Sequence, residues 1–291
     1  TIQDLGQGDG LVLAGCRGVG KTVMVHQAIA GLINGGVPPS TILYCALSSP
    51  VYSSVDINRL LEMFTARHRH DPDTTIFLFL DEIQYTGDWQ AKFDALARAW
   101  PKAHLVAAVS SGAPAIITGP SCFVLPPLTF PEYLRIKGAE DALFADGQTG
   151  SALVLKPGAI SALNEEFHGY VNSGGFFENT TLDVILNTDL ASLHGISNVQ
   201  ELNRLFAILA TNTGLEVGFE DLTNALGVAK NTLRKYLDYL EHAFLIRRLA
   251  RIDQSANRFQ RAVAFKVYLT TPCLYAALFG PIDADADIFP R

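Results

Sequence analysis

The eight residues Gly15-Cys16-Arg17-Gly18-Val19-Gly20-Lys21-Thr22 constrain this chain more than any other stretch. They match G-x-x-x-x-G-K-[ST] in full, a loop whose glycines let the backbone curl until successive N–H groups point inward. The apolar run Leu11-Val12-Leu13-Ala14 before them reads as a buried strand. A helix from Lys21 to about Leu32 follows, stopped by Gly35-Gly36 and Val37-Pro38-Pro39. Strand, glycine turn and helix N-terminus make a phosphate cradle, because inward N–H groups and the positive end of a helix both favour anions. Lys21, expected at an exposed loop tip, would reach the β- and γ-phosphates of a nucleotide, and the Thr22 hydroxyl would ligate Mg²⁺. A glycine turn with an ordinary surface lysine is the bland alternative. The strand before the octet and the helix after it speak against that.

The rest of the first half alternates short apolar runs with amphipathic helical stretches, the pattern of a parallel sheet with crossover helices. Thr41 to Leu47 reads as a second strand, and Asp56 caps a helix running to about His68. Thr75 to Leu80 is a third strand and Trp89 to Trp100 a helix broken by Pro101. His104 to Val109 is a fourth strand and Ser121 to Leu125 a fifth. The expected fold is α/β, a P-loop parallel sheet of the additional-strand ATPase type, over residues 1–135.

The third strand runs into Asp81-Glu82. Strand C-termini line the ligand crevice of a doubly wound sheet, so both acids would arrive beside the phosphates. Asp81 would hold Mg²⁺ through its water shell, and Glu82 would orient and deprotonate the attacking water. Ser110 and Ser111 follow the fourth strand, where a hydroxyl could meet the γ-phosphate or the water; turn chemistry explains Ser-Ser-Gly-Ala-Pro equally well. A glutamate adjacent to the aspartate, and the lack of N-K-x-D or T-K-x-D, favour ATP over GTP. The expected cofactors are ATP and Mg²⁺. The binding set is Gly15, Cys16, Arg17, Gly18, Val19, Gly20, Lys21, Thr22 and Asp81, with Thr22 and Asp81 on the metal. Glu82, Lys21 and Ser110 are the catalytic candidates for converting ATP and water to ADP and phosphate.

Composition limits the alternatives. Of the 291 residues 48% are hydrophobic and 18% charged, enough apolar material for a real core. A net charge of -7 argues against a generally basic nucleic-acid coat. Cys16, Cys45, Cys122 and Cys273 are scattered, with no C-x-x-C pair, so reduced thiols and a cytoplasmic setting are expected. Ile76 to Leu80 is far shorter than the ~20 apolar residues of a membrane span, and no membrane association is expected. His68 and His70, beside Asp71 and Asp73, read as a solvated turn rather than a metal site. The chain begins at Thr1 and stops abruptly at Arg291, as a fragment would.

Pro126-Pro127 and Pro131 mark a change of character. A helical connector is expected over 136–197, and over 198–280 three helices followed by a two-stranded ribbon, the winged-helix pattern. The helices are Gln200 to Thr211, Phe219 to Leu226 and Lys230 to Ala243, and the ribbon is Leu245 to Ile252 with Ala262 to Leu269. Residues 281–291 read as a tail. Leu233, Leu237 and Leu240 share one helical face, and Tyr236, Tyr239, Phe244 and Tyr268 read as core rather than as base-stacking platforms. Asn198 to Thr270 carries ten Lys/Arg and seven Asp/Glu, a local +3, against twelve and twenty-two, or -10, elsewhere. DNA binding through Lys230, Asn231, Arg234 and Lys235 is an open alternative, but the excess is small. Contact within the molecule, with a protein partner or in a homo-oligomer is favoured.

Several motifs in order resemble one family, the prokaryotic AAA-type P-loop ATPases that carry a winged helix and a C-terminal restriction-endonuclease-like domain. Asp81-Glu82-Ile83-Gln84 with Trp89 is similar to that family's D-E-I-Q…W element, and Leu125 to Leu134 to its P-L-S-F-x-E-Y-L element. Gly174-Gly175-Phe176-Phe177-Glu178 resembles its G-G-F-P-E turn, and Asn231 to Glu241 its winged-helix signature. The resemblance covers about residues 8 to 280 and implies nucleotide binding strongly. The endonuclease-like domain has no counterpart here. The family's Gly-Arg before P-L-S-F is Gly119-Pro120, its T-G-S is Ser110-Ser111-Gly112, and its aspartate after the last strand falls on Thr271. Without that arginine, turnover should be slow unless Arg17, Arg135 or a neighbouring subunit supplies the charge. The expected function is ATP binding with slow Mg-dependent hydrolysis, as a conformational switch for an attached or partner module. An ATP-gated DNA-binding regulator is the alternative, and a scaffold that has lost turnover a third.

Overall fold

The computed structural model describes residues 10–52, 55–110, 122–145, 154–176, 181–250 and 264–283. Ser111, Gly112, Gly119, Pro120, Ser121, Phe177, Glu178, the residues 251–263 of the expected ribbon and residues 284–291 lie outside them. The chain divides into two compact units, Thr1–Pro126 and Pro127–Arg291.

The first unit is built on a five-stranded parallel sheet: β1 (Gly10–Ala14), β2 (Ile42–Ala46), β3 (Phe77–Asp81), β4 (His104–Val109) and β5 (Cys122–Val124). Their order across the sheet is β2-β3-β4-β1-β5, so β4 lies between the strand feeding the glycine loop and the strand ending in the acids. That intervening strand is the additional strand expected above. All five residues of β3 are buried, and Phe79, Leu78, Leu80 and Leu105 are each at most 1% exposed. Parallel strands covered on both faces read as continuous apolar runs, which is why Ile76 to Leu80 shows no alternation. Burying side chains of this size contributes about 1.5–3 kcal/mol each.

The helices α1 (Lys21–Asn34), α2 (Ile57–His68) and α3 (Trp89–Ala99) connect the strands. On the α1 face, Val25 and Leu32 pack with Leu13, Phe77, Phe79, Val106 and Ala108. On α3, Phe93 lies so close to Gly10 that a β-carbon there would come within 2.3 Å of its ring. α2 starts where Asp56 accepts a hydrogen bond from the Asn58 N–H at 2.9 Å, the cap read from the sequence.

The second unit opens with α4 (Phe130–Lys137), whose N-terminal Thr129 N–H donates to Glu132 at 2.8 Å. Short elements follow: α5 (Glu140–Leu143), β6 (Phe144–Ala145) and β7 (Val154–Leu155). Then come α6 (Ile160–Gly169), α7 (Thr181–Val184) and α8 (Leu190–His194), with π-helical turns at Tyr170–Gly174 and Ile185–Asp189. The family-like motifs of this region pack on one another. Leu128 N–H donates to the Gly175 carbonyl, and the Tyr170 hydroxyl donates to the Leu128 carbonyl at 2.8 Å. Gly175 has no room for a side chain, since a β-carbon would sit 2.3 Å from Thr271 Oγ1 and 2.7 Å from Cys273 Sγ.

Three further helices follow, α9 (Val199–Thr211), α10 (Phe219–Leu226) and α11 (Lys230–His242), and then α12 (Cys273–Phe279). With them is an antiparallel sheet of β8 (Glu216–Gly218), β9 (Ile246–Ala250) and β10 (Ala264–Leu269), ordered β8-β10-β9. The sequence suggested a two-stranded ribbon. The third strand is only three residues long and takes its pairing from β10, so no local periodicity announces it. Leu233, Leu237 and Leu240 are fully buried as their spacing requires, and Tyr236 is 8% exposed. Tyr268 corrects the reading of it as core: it is 38% exposed, opposite Arg247 on the outer face of the sheet. Among the described residues no helix is long and apolar enough to cross a membrane.

Candidate functional site

The glycine loop is fixed by the two strands beside β1. Gly15 N–H donates to the Val109 carbonyl of β4 at 3.2 Å, and Leu125 N–H, just past β5, donates to Ala14 at 2.7 Å. A β-carbon on Gly15 would lie 2.4 Å from the Leu125 carbonyl oxygen, so only glycine allows this approach. Gly20, at φ +97, takes the left-handed turn into α1 that other residues avoid. Cys16 and Val19 are buried within the loop, while Arg17 and Gly18 are partly exposed.

Lys21 is not at an exposed tip. It is 3% exposed, and its ammonium donates to the Gly15 and Cys16 carbonyls at 3.0 and 2.8 Å. The expectation failed because a loop that curls around a ligand volume also curls around the lysine at its end. Burial pushes the Lys21 ammonium below its ordinary value, while Glu82 and Asp81 pull it back up.

Thr22 and Asp81, 59 residues apart in sequence, are in contact: the Thr22 hydroxyl donates to Asp81 Oδ2 at 2.8 Å. The same oxygen accepts from the Tyr44 hydroxyl at 3.1 Å. Asp81 is 3% exposed, and its other oxygen, Oδ1, is buried with no hydrogen-bond partner among the described residues. A buried carboxylate oxygen without a donor is costly unless a cation or a bound water meets it. The Thr22 hydroxyl keeps lone pairs while donating its proton. Two hard oxygens so placed fit a small divalent cation such as Mg²⁺.

Glu82 follows Asp81 in a left-handed conformation, φ 54 and ψ 46, which costs about 1–3 kcal/mol for a residue with a β-carbon. This turn brings its carboxylate to the end of β4. There Ser110, 5% exposed, donates from its hydroxyl to Glu82 Oε1 at 2.6 Å. Gln84 donates its amide to Glu82 Oε2, and the Ser110 N–H donates to Gln84 Oε1 at 3.4 Å. Glu82, Gln84 and Ser110 thus form a closed ring of hydrogen bonds.

The structure therefore brings together Gly15, Cys16, Lys21, Thr22, Asp81, Glu82 and Ser110. Arg135 lies in the second unit, where it is paired with Glu140 at 3.1 Å. Tyr44 and Gln84 are the site neighbours that motif reading missed. Tyr44 carries a polar tip on an otherwise apolar strand, and such a tip needs a partner. Gln84 was noticed only as part of a motif, not for its position two residues beyond the acid.

The family match over the first part of the chain agrees with this geometry. Residues 8–134 match the family described as an AAA domain, and residues 171–285 match a domain of unknown function (DUF8612). The chain is 25% identical over 270 residues to an uncharacterized protein of Haemophilus influenzae, covering 83% of this chain and 62% of that relative. It thus spans less than two thirds of that relative's length. Among solved structures it is similar to a signal transduction ATPase with numerous domains, bearing a tetratricopeptide repeat sensor, from Pyrococcus horikoshii. That similarity has 12% identity and a TM-score of 0.30, covering 95% of this chain and 41% of the other. Sheet order, glycine loop and the match over residues 8–134 together support a P-loop nucleotide-binding domain of the AAA ATPase kind.

Proposed function

We propose that the first unit binds Mg-ATP, hydrolyses it slowly, and serves as a switch for an attached or partner module. The observation that carries this reading is Asp81. It is a buried carboxylate anchored by Thr22 through one oxygen, with the other left for a hydrated cation, beside a glycine loop that ends in a buried lysine. In this reading the loop N–H groups and Lys21 hold the phosphates, while Thr22 and Asp81 hold the metal. When bound, Mg²⁺ held by Thr22 and Asp81 would offset the charge of the phosphates. Glu82 would accept a proton from water, and Ser110 would keep its carboxylate aimed. Slow turnover follows from the sequence, where Gly119-Pro120 replaces the Gly-Arg of the resembling family.

We read the three helices and the sheet of the second unit as a winged helix that makes protein or intramolecular contacts rather than a DNA reader. Two of its basic side chains are committed to acids: Lys230 to Glu220 at 3.2 Å, and Arg248 to Asp238 at 2.7 Å and to Glu241. A third, Arg234, stacks over Phe219. The test is thermal unfolding of the full chain with ATP or GTP, with and without Mg²⁺. ATP with Mg²⁺ should raise the melting temperature most. A larger shift with GTP, or none with either, would reject the assignment. Salt-dependent duplex binding would restore the DNA alternative.

A further inference from the structure

We propose that Tyr44 is a positioning residue for the cation-binding carboxylate: its hydroxyl fixes the plane of the Asp81 carboxylate, so that one oxygen is anchored and the other is left to meet the metal. The inference rests on the reading of this site as one for Mg-nucleotide. Tyr44 stands on β2 in register with Phe79, two residues before the pair Ala46 and Asp81. Its ring packs against the α1-side core. It also meets the ring of His26 edge-on, with centroids 4.9 Å apart, and His26 is one turn beyond Thr22 on α1.

Asp81 Oδ2 therefore takes two hydroxyl donors from two different elements, Thr22 on α1 and Tyr44 on β2. A carboxylate held by one donor can still swing about its terminal torsion, which is broad. Two converging donors remove that freedom and leave Oδ1 as the buried, unpartnered oxygen. A phenylalanine would fill the same apolar space, so the hydroxyl itself is spent on Asp81.

The test uses the full chain with Tyr44→Phe. ATP binding is measured against Mg²⁺ concentration, and again with ATP in excess EDTA. Loss of one hydrogen bond to a charged group should raise the Mg²⁺ concentration needed for half-maximal binding about tenfold. Binding in EDTA should hold at its wild-type value, while the free protein, which loses the same hydrogen bond, should melt somewhat lower. In an Asp81→Asn background the same substitution should add nothing, since Tyr44 acts through that carboxylate. A Tyr44→Phe curve that overlays the wild type overturns the inference while leaving the site reading intact. Equal weakening in Mg²⁺ and EDTA also overturns it, because Tyr44 would then shape the nucleotide pocket. So does a full effect in the Asp81→Asn background. A wild-type protein whose ATP binding ignores Mg²⁺ removes the site reading itself, and the inference with it.

Discussion

The first unit carries surface ion pairs of its own, Arg59–Glu62 and Lys102–Asp73, but it also holds charges inside. Lys21 and Asp81 are each 3% exposed at the strand ends, and Glu82 is locked to Ser110 and Gln84. In the second unit the ion pairs Lys230–Glu220, Arg135–Glu140 and Lys137–Glu166 lie at the surface, and apart from Asp189 its buried groups are mostly leucines and other apolar side chains. Removing an ion from water costs several kcal/mol, whereas an exposed pair contributes ~0–1 kcal/mol. A fold keeps the first arrangement only where something offsets that cost. The difference therefore separates a unit organised around a ligand from one organised around packing.

The most forceful way to break this contrast is Glu82→Gln, which keeps size but removes the base and one of the two acceptors that meet Ser110 and Gln84. Single-turnover ATP hydrolysis should fall by ~10²–10⁴ with ATP affinity retained. Wild-type turnover would mean that Glu82 does not activate the water. In the second unit, Leu237→Ala should cost ~2–5 kcal/mol of stability there. Binding of Mg-ATP should survive, and so should the unfolding transition of Trp89 and Trp100, the two tryptophans of the chain, both in the first unit. Loss of ATP binding in this variant would show that the units are not energetically separate. At a hundred times its dissociation constant, Mg-ATP should add ~2.7 kcal/mol to the first unit, and Lys21→Ala should abolish most of that gain. An undiminished gain would remove Lys21 from the phosphate site. The smallest effect is Asp56→Ala, where loss of the α2 cap should cost ~1 kcal/mol, read by denaturant unfolding with tryptophan fluorescence.

Acid should separate the units as well. Burial holds His194 and His242 of the second unit below the ordinary 6.5. The unfolded chain then takes up protons first, so their contribution to stability is complete above about pH 6.5 and is lost as pH falls below it. His194→Phe, which preserves the stack on Tyr239, should flatten that loss between pH 7 and 5 in hydrogen exchange of the second unit. An unchanged slope would exonerate His194.

Much of the fold was legible because its signals are local. The cap Asp56, the helix Phe219–Leu226 and the strand His104–Val109 coincide with the positions read from the sequence. Each depends on residues within one turn or one strand. β8 was not legible, since three residues carry too little pattern and acquire strand character only by pairing with β10, 46 or more residues later. Tyr268 was misplaced because the side of a sheet that meets solvent depends on what packs against it, not on hydrophobicity alone.

By itself the sequence determined the glycine loop, the apolar strand ending in Asp81-Glu82 and the helix that opens at Lys21, because strand period, helix punctuation and glycine content are properties of neighbouring residues. Only the tertiary structure decided that Lys21 is enclosed, that Tyr44 shares Asp81 with Thr22, and that Ser110 and Gln84 converge on Glu82. Those contacts join residues up to 59 positions apart. They are set by sheet register and by the angle of a turn, which no single segment of the chain encodes.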